Sequence, residues 1–350
     1  MSKRILAFLL CVALIFSLFA CTEEQKTNTP IKDASLVVHY IDVGQGDSIL
    51  LESNNEFVLI DAGEREYSPT VCSYLEDNDV DRLNYVIATH PHSDHCGGLA
   101  DVLNTFECDN FITVETDQNT KTWIDVLLAV EDNGINYVDA KTGNAYAFGE
   151  ASFEIMGPRN SNYEDYNNFS VVIKATCGDT SFLFTGDAEK LSEKEMINSG
   201  ADLSADVLKV GHHGSSTSSC EEFIDAVDPA YAVITCGKGN DYGHPHKEVL
   251  NTLNSHAVTI YRTDISGTVI AYSDKENISF DTKFTDNISE TTTATEKLSG
   301  TQYIGNKNSK KFHLTTCSGA QSMSEKNRIV FSTRSEAVQN GYEPCKTCNP

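Results

Sequence analysis

Short apolar runs of strand type recur along the chain, separated by turn residues and by a few stretches of helical period. Leu36–Asp42, Ser48–Leu51 and Phe57–Ile60 come first, divided by the turn Val43-Gly-Gln-Gly-Asp47 and closed by Asp61-Ala-Gly63. Tyr85–Ala88, Phe153–Met156, Val171–Lys174, Phe182–Phe184, Val207–Val210 and Tyr231–Ile234 repeat the pattern. Between them Thr70–Asp77, Trp123–Glu131, Ala188–Ser199 and His246–Leu253 read as helices, the second stopped by Asn133-Gly134. Strands and helices in alternation predict an α/β fold whose strand-end loops gather at one edge of the sheets.

The run Tyr85–Ala88 ends abruptly in His90, His92, Asp94 and His95. Alternation along an extended segment puts His90 and His92 on one side. Asp94 and His95 follow in the turn, before a helix opened by Gly97-Gly98-Leu99. Imidazole and carboxylate together suit divalent zinc, manganese or iron. A loop that merely contains histidines would seldom pack these four residues so closely. Asp42, Asp47 and Asp61 also stand at strand ends. Asp42 and Asp61 read as turn residues, and Asp47 is open between a turn and the metal region. Cys96, beside the cluster, reads as a packing residue.

His90-Pro-His92-Ser-Asp94-His95 matches the H-x-H-x-D-H motif of the metallo-β-lactamase superfamily. Val43–Ser48, Leu208-Lys-Val-Gly-His-His-Gly-Ser215 and Asn240-Asp-Tyr-Gly-His-Pro-His246 extend the likeness: they resemble the nuclease domain of ComEC-type competence proteins. Phosphorylcholine esterases of the pneumococcal type share a similar arrangement. The resemblance covers about residues 36–275 and implies an αββα sandwich with metals at one sheet edge. It further implies that Asp187, in Thr185-Gly186-Asp187 after a β-run, touches both metals, with Asp94 and His95 as neighbours on one ion. One of His212 and His213 completes the set. Spacing does not rank them; His213 is assigned to the metal and His212 to the substrate. The expected metal ligands are His90, His92, Asp94, His95, Asp187 and His213, with Asp94 and His212 catalytic. His244, His246 and Asn168 are expected to meet the substrate, although His246 can equally order the helix it begins.

Two departures bear on this expectation. Many members of the superfamily carry a further metal-binding histidine between the two blocks, and no histidine lies between His95 and Asp187 here. Asn168 stands at about that place, so occupancy by one ion or two, zinc or manganese, is open. These 350 residues also hold no multi-span channel, so DNA uptake does not follow from the resemblance. The chemistry implied is hydrolysis: a metal-activated water attacks, and a second ion or a neighbouring histidine steadies a phosphoryl oxygen.

Charge and the two ends of the chain add the rest. A net charge of −25 argues against general affinity for nucleic acid, although bound metal ions can reverse the local field. Residues 1–21 read as an export signal: Lys3 and Arg4, then an apolar stretch too short for a confident membrane span. Leu18-Phe19-Ala20-Cys21 resembles a bacterial lipobox, which implies lipidation of Cys21 and an extracytoplasmic, membrane-anchored lipoprotein; ordinary signal cleavage and an uncleaved anchor are the alternatives. Residues 22–34 form a polar tether and 35–285 the hydrolase domain. Asn277–Ser299 is poor in apolar residues and reads as linker, with its core at 286–300.

Residues 301–350 hold seven Lys or Arg against three Glu, a net +4 that leaves −29 on the rest. There His313-x3-Cys317 and Cys345-x2-Cys348 have the spacing of a four-ligand structural zinc site. The ending Gly341–Pro350 resembles the zinc-binding domain of Ada-type DNA-repair proteins, which implies a small α+β module. His313 stands where Ada has its methyl-accepting cysteine, so methyl acceptance is expected to be lost. Cys72, Cys96, Cys108, Cys177, Cys220 and Cys236 are expected as free buried thiols.

The function expected is that of an exported metal-dependent phosphodiesterase, foremost a ComEC-like DNase, with no protein partner. The alternatives are a phosphodiesterase of cell-wall polymers or phosphorylcholine, and a non-catalytic surface binding module stabilised by metal.

Overall fold

The computed structural model describes residues 31–282, 303–314, 317–321, 323–331 and 342–345. The expected signal segment with Cys21, the tether up to residue 30, the linker at 286–300 and Cys348 lie outside them. The chain divides into two compact units, Met1–Ser289 and Glu290–Pro350.

The larger unit is built on β1 (Leu36–Tyr40), β2 (Ile49–Ser53), β3 (Glu56–Ile60), β4 (Arg82–Ile87), β5 (Glu107–Thr113), β6 (Asn136–Asp139), β7 (Ala145–Phe148) and β8 (Ala151–Gly157). β9 (Val172–Cys177), β10 (Thr180–Phe184), β11 (Val207–Lys209), β12 (Tyr231–Ile234), β13 (Thr259–Arg262), β14 (Val269–Ser273) and β15 (Ile278–Thr282) complete it. One sheet runs β15-β14-β1-β2-β3-β4-β5-β6 and the other β13-β12-β11-β10-β9-β8-β7. Strands β3 to β6 pair in parallel, as do β10 to β13.

Alternation along the strands sorts the side chains into layers. Leu36, Val38 and Tyr40 of β1, Ile49 and Leu51 of β2, and Phe182 and Phe184 of β10 fill the space between the sheets. The intervening Leu50 and Leu59 face outward onto α1 (Ser68–Asp77), α2 (Ser93–Cys96), α3 (Leu99–Thr105) and α4 (Lys121–Asp132). Leu183 and Leu208 face α5 (Lys190–Asn198), α6 (Glu221–Val227) and α7 (Lys247–Ser255) on the opposite side. The result is the expected αββα sandwich. Asp94 and His95 lie in the short helix α2, where the sequence pattern indicated a turn.

One boundary needs correction. The polar segment taken to begin the linker at Asn277 starts instead with β15, antiparallel to β14 and with Phe280 buried against Tyr231 and Tyr261. Cys72, Cys96, Cys108, Cys177, Cys220 and Cys236 are free thiols, but Cys72 and Cys108 are only partly buried, unlike the other four.

In the smaller unit, β16 (Tyr303–Asn306), β17 (Lys311–Leu314), β18 (Arg328–Phe331) and β19 (Glu343–Pro344) pair in the order β18-β16-β17-β19 beside a helical turn at Ser318–Gln321. Phe312, Phe331 and Tyr342 form its apolar centre.

Candidate metal centre

Parallel strands β3 and β4 of one sheet and β10, β11 and β12 of the other end at the same rim. Each end carries polar residues: Asp61, then Thr89 and His90, Asp187, His212 and His213, and Thr235. Rigid strands fix where these side chains begin, and the connecting loops aim them.

The ligand atoms of Asp94, His95, Asp187 and His213 all lie within 4.8 Å of one another. His95 Nε2 is 3.2 Å from Asp187 Oδ1, and His213 Nε2 is 3.5 Å from the same oxygen and 3.4 Å from Asp94 Oδ2. All but Asp94 are buried. His95 Nε2, His213 Nε2 and Asp187 Oδ1 have no aligned hydrogen-bond partner. Buried polar atoms left unpaired are costly, and three of them converging on one point fit a divalent cation. Each imidazole is held from behind. His95 Nδ1 lies 2.8 Å from Asp61 Oδ2, and His213 Nδ1 donates to the Thr235 carbonyl at 2.9 Å. Those partners put the ring proton on Nδ1 and leave Nε2 free to ligate.

A further layer locks these partners. The Thr89 amide and hydroxyl donate to Asp61 at 2.8 and 2.7 Å. Asp47 sits 3.4 Å from His213 Nδ1, accepts from the Thr235 hydroxyl, and is paired with the fully buried Lys209 at 2.7 Å. Gly46 allows this approach: its φ of +146° suits glycine, and a Cβ there would strike the Asp94 carbonyl. The Asp47 amide in turn donates to that carbonyl at 3.1 Å.

Charges alternate through the cluster. Burial opposes ionisation of Asp187, but His213 and His95 outweigh it and hold its carboxyl well below the usual range. Burial likewise opposes charge on His95 and His213; the carboxylates of Asp187, Asp61 and Asp94 raise the first, and those of Asp187 and Asp47 the second. Burial raises the Asp61 carboxyl.

The other side of the centre is looser. His90 Nε2 and His92 Nδ1 are 3.0 Å apart, close enough for both to reach one ion, and His90 Nε2 is 3.9 Å from Asp187 Oδ2. Burial, followed by the neighbouring His95, lowers the His90 ring well below its ordinary value. His212 Nε2 approaches Asp187 Oδ2 at 3.7 Å. His212 and His213 both have left-handed backbone, φ 49° and 53°. Such conformations persist where neighbours enforce them; here the His212 amide bonds the Gly186 carbonyl at 3.1 Å.

The residues expected to meet substrate separate. His244 lines the mouth, 5.6 Å from the His212 ring and 6.3 Å from that of His213, and burial lowers it to about 4. His246 is spent on the framework, its Nδ1 accepting from the Ser216 amide at 2.9 Å. Asn168 is buried and also spent: its Oδ1 accepts from the Ser192 amide at 3.2 Å in the first turn of α5. Among the described residues, the His/Cys/Asp/Glu groups that could hold a metal include none from that place. Of the aspartates read as turns, Asp42 does bond the Gly44 amide at 3.2 Å. Asp61, by contrast, holds a ligand histidine as well as having a turn-type φ of 57°. Lys209 was detectable as a lone charge inside an apolar strand, where it must find a partner. Thr235 left no such signal.

When bound, a divalent ion would supply Lewis acidity and a water acidified toward neutral pH. His90, His92, Asp94, His95, Asp187 and His213 offer only nitrogen and oxygen, and among the described residues no cysteine joins the group at this site. In the smaller unit His313, Cys317 and Cys345 bring their ligand atoms within 4.8 Å, with His313 Nδ1 3.4 Å from Cys317 Sγ. Those three of the four expected ligands do meet, and they fit a zinc ion.

Comparison with known proteins finds a family for each of the two regions. The family model of the metallo-beta-lactamase superfamily matches residues 41–238, and that of the metal binding domain of Ada matches residues 288–350. The chain is 32% identical over 250 residues to ComE operon protein 3 of Bacillus subtilis, covering 66% of this chain and 32% of that protein. It is 30% identical over 248 residues to competence protein ComA of Neisseria gonorrhoeae, covering 68% and 32%. The chain thus spans about a third of the length of these curated relatives. Among solved structures, the metallo-beta-lactamase fold protein YhfI from Bacillus subtilis aligns with 67% of this chain and 98% of its own, at 11% identity and a TM-score of 0.46. The matched model spans more than half of the chain, which therefore belongs to the metallo-β-lactamase superfamily, akin to the ComEC-type competence proteins and with an Ada-type metal-binding domain behind it.

Proposed function

We propose that this protein is an exported, lipid-anchored phosphodiesterase whose substrate is DNA. The observation that carries the reading is the set of unpaired, buried His95 Nε2, His213 Nε2 and Asp187 Oδ1 beside the solvent-reaching His92, Asp94 and His212. A ligand set without thiolates keeps positions open for water and substrate. In this reading Asp94 and His212 face the reacting groups, and His244 walls the entrance. Zinc or manganese is the ion, one in the enclosed half and a second, weaker one in the half lined by His90 and His92. The kinship with competence proteins supports DNA among phosphodiesters. The basic start, apolar run and Cys21 support export and lipidation. Zinc in the smaller unit is structural, since thiolate ligands favour it strongly.

The test is a panel assay of metal-loaded protein on DNA, RNA, bis-p-nitrophenyl phosphate, teichoic acid and a β-lactam, with Mn²⁺ or Zn²⁺ and with neither. Hydrolysis of DNA and of the chromogenic diester is expected only with metal. Hydrolysis of teichoic acid in preference to DNA would transfer the assignment to the cell wall. Failure on every phosphodiester would end it.

A further inference from the structure

We propose that Glu189 is a positioning residue for His212: it holds the ring by Nδ1, so that Nε2 presents its lone pair toward the Asp187 edge of the site. This rests on the phosphodiesterase reading above.

Glu189 Oε1 lies 3.4 Å from His212 Nδ1, and His212 Nε2 lies 3.7 Å from Asp187 Oδ2. The imidazole is thus strung between a carboxylate behind and the centre in front. Glu189 is fixed on its own account. It follows Asp187 by two residues at the same strand end, and its Oε2 faces the Asn168 amide at 3.4 Å. Asn168 is itself pinned to α5 through the Ser192 amide. Glu189 occupies the N-cap position of α5, yet its side chain makes no capping hydrogen bond. Helix capping therefore does not explain where the carboxylate points.

Thr217 Oγ1 is also 3.1 Å from His212 Nδ1, and Ser215 Oγ is 3.0 Å from Thr217 Oγ1. A hydroxyl can give or take a proton, so Thr217 by itself leaves the tautomer of His212 undecided. An ionised carboxylate only accepts. Asp187 Oδ2 faces Nε2 at 3.7 Å, but a bound ion would engage that carboxylate, so in the zinc-loaded protein Glu189 breaks the tie and places the proton of the neutral ring on Nδ1. His95 and His213 obtain the same arrangement from Asp61 and the Thr235 carbonyl. The third imidazole differs in reaching solvent, which suits a group that handles substrate.

Glu189→Gln tests this in the full-length, zinc-loaded protein, because the amide keeps the shape but can donate as well as accept. Long-range ¹H–¹⁵N NMR, with the His212 signals identified by their loss in His212→Ala, reads the tautomer directly. The proton is expected on Nδ1 in the native protein, and a shift toward Nε2 in Glu189→Gln. On bis-p-nitrophenyl phosphate, kcat should fall about 10- to 100-fold with KM within about twofold, and Glu189→Asp should recover part of the loss. In a His212→Ala background, Glu189→Gln should cost nothing more. An unchanged tautomer, or the same loss with and without His212, would overturn the proposal. If the native protein hydrolysed no diester the functional reading would fall, and the NMR result would still decide the role of Glu189.

Discussion

The metal centre has two unlike halves that share Asp187. In the enclosed half, His95 and His213 are buried, and each has a fixed acceptor behind it. Asp47 and Lys209 then tie that half to both sheets through a buried ion pair. In the open half, His92 and His212 are only partly buried, His90 is backed by the hydroxyls of Thr89 and Ser170 at 3.1 and 3.4 Å, and the place of a third histidine is taken by an asparagine turned elsewhere. Preorganisation is what separates them. Ligands held in the binding geometry before the ion arrives lose less freedom on binding it, so the enclosed half should hold metal more tightly.

The largest effect should come from the shared residue. Asp187→Ala is expected to abolish diester hydrolysis, a loss on the order of 10³-fold or more, and to empty both halves while circular dichroism stays native. His92→Ala should also stop turnover but leave the enclosed ion in place. Elemental analysis after gel filtration makes the distinction. A His92→Ala protein with no bound metal in the larger unit would mean that the halves are not independent.

Next comes the support of the enclosed half. Lys209→Met leaves Asp47 charged, buried and without its cation, which should cost about 3–5 kcal/mol in urea unfolding. Adding Asp47→Asn should return part of that stability while metal affinity stays low, since the group behind His213 is still altered. A loss under about 1 kcal/mol in Lys209→Met would show that the pair is not desolvated as its burial implies.

Glu193 anchors the far end of the loop that carries His212 and His213, accepting from the Ser219 amide and from the Cys220 amide at 3.0 Å. Burial raises its carboxyl to about 7, only partly offset by those amides. Because the folded value exceeds the ordinary 4.5, the folded state binds more protons between the two. Its contribution is fully present below about 4.5 and is lost as pH rises through about 7, a swing of about 3 kcal/mol. Glu193→Gln should flatten the stability profile across that window. An unchanged slope in the variant would assign it to other groups.

The unequal halves were unequally legible in the sequence. The ligands stand out because polar residues crowd the ends of apolar strands, and a strand end has few other uses for three histidines and an aspartate. Their supports are scattered and ordinary. Asp61 looks like a turn residue and is one, but nothing local shows that His95 lies across from it. Lys209 announces only that it needs a partner, and that partner, Asp47, comes from the opposite sheet. Strands β5 to β7 and β13 to β15 escaped the pattern for a related reason. Glu107-Cys-Asp-Asn-Phe-Ile-Thr113 concentrates its apolar residues at one end, and Ile278–Thr282 is embedded in polar sequence and buries little beyond Phe280. Long-range pairing, not local period, makes these segments strands.

The smallest effect should sharpen the contrast most. Asn168 stands where a histidine would complete the open half, and its side chain instead satisfies the Ser192 amide and faces Glu189. Asn168→Ala removes one acceptor from a buried amide, a cost of about 1–2 kcal/mol, and should leave the metal content of the native protein unchanged. Asn168→His should likewise add no ion. Its imidazole would start from a backbone set by the Asp165 cap, whose carboxylate accepts from the Asn167 amide at 3.0 Å, and by the bond from the Asn168 amide to the Asp165 carbonyl at 3.1 Å. That turn aims the side chain at α5, not at His90 and His92. Titration with zinc, followed by competition with a chelator, gives the stoichiometry of both variants. A second tight ion in Asn168→His would show that the open half lacks only a ligand, and that its looseness is a matter of one residue and not of the framework behind it.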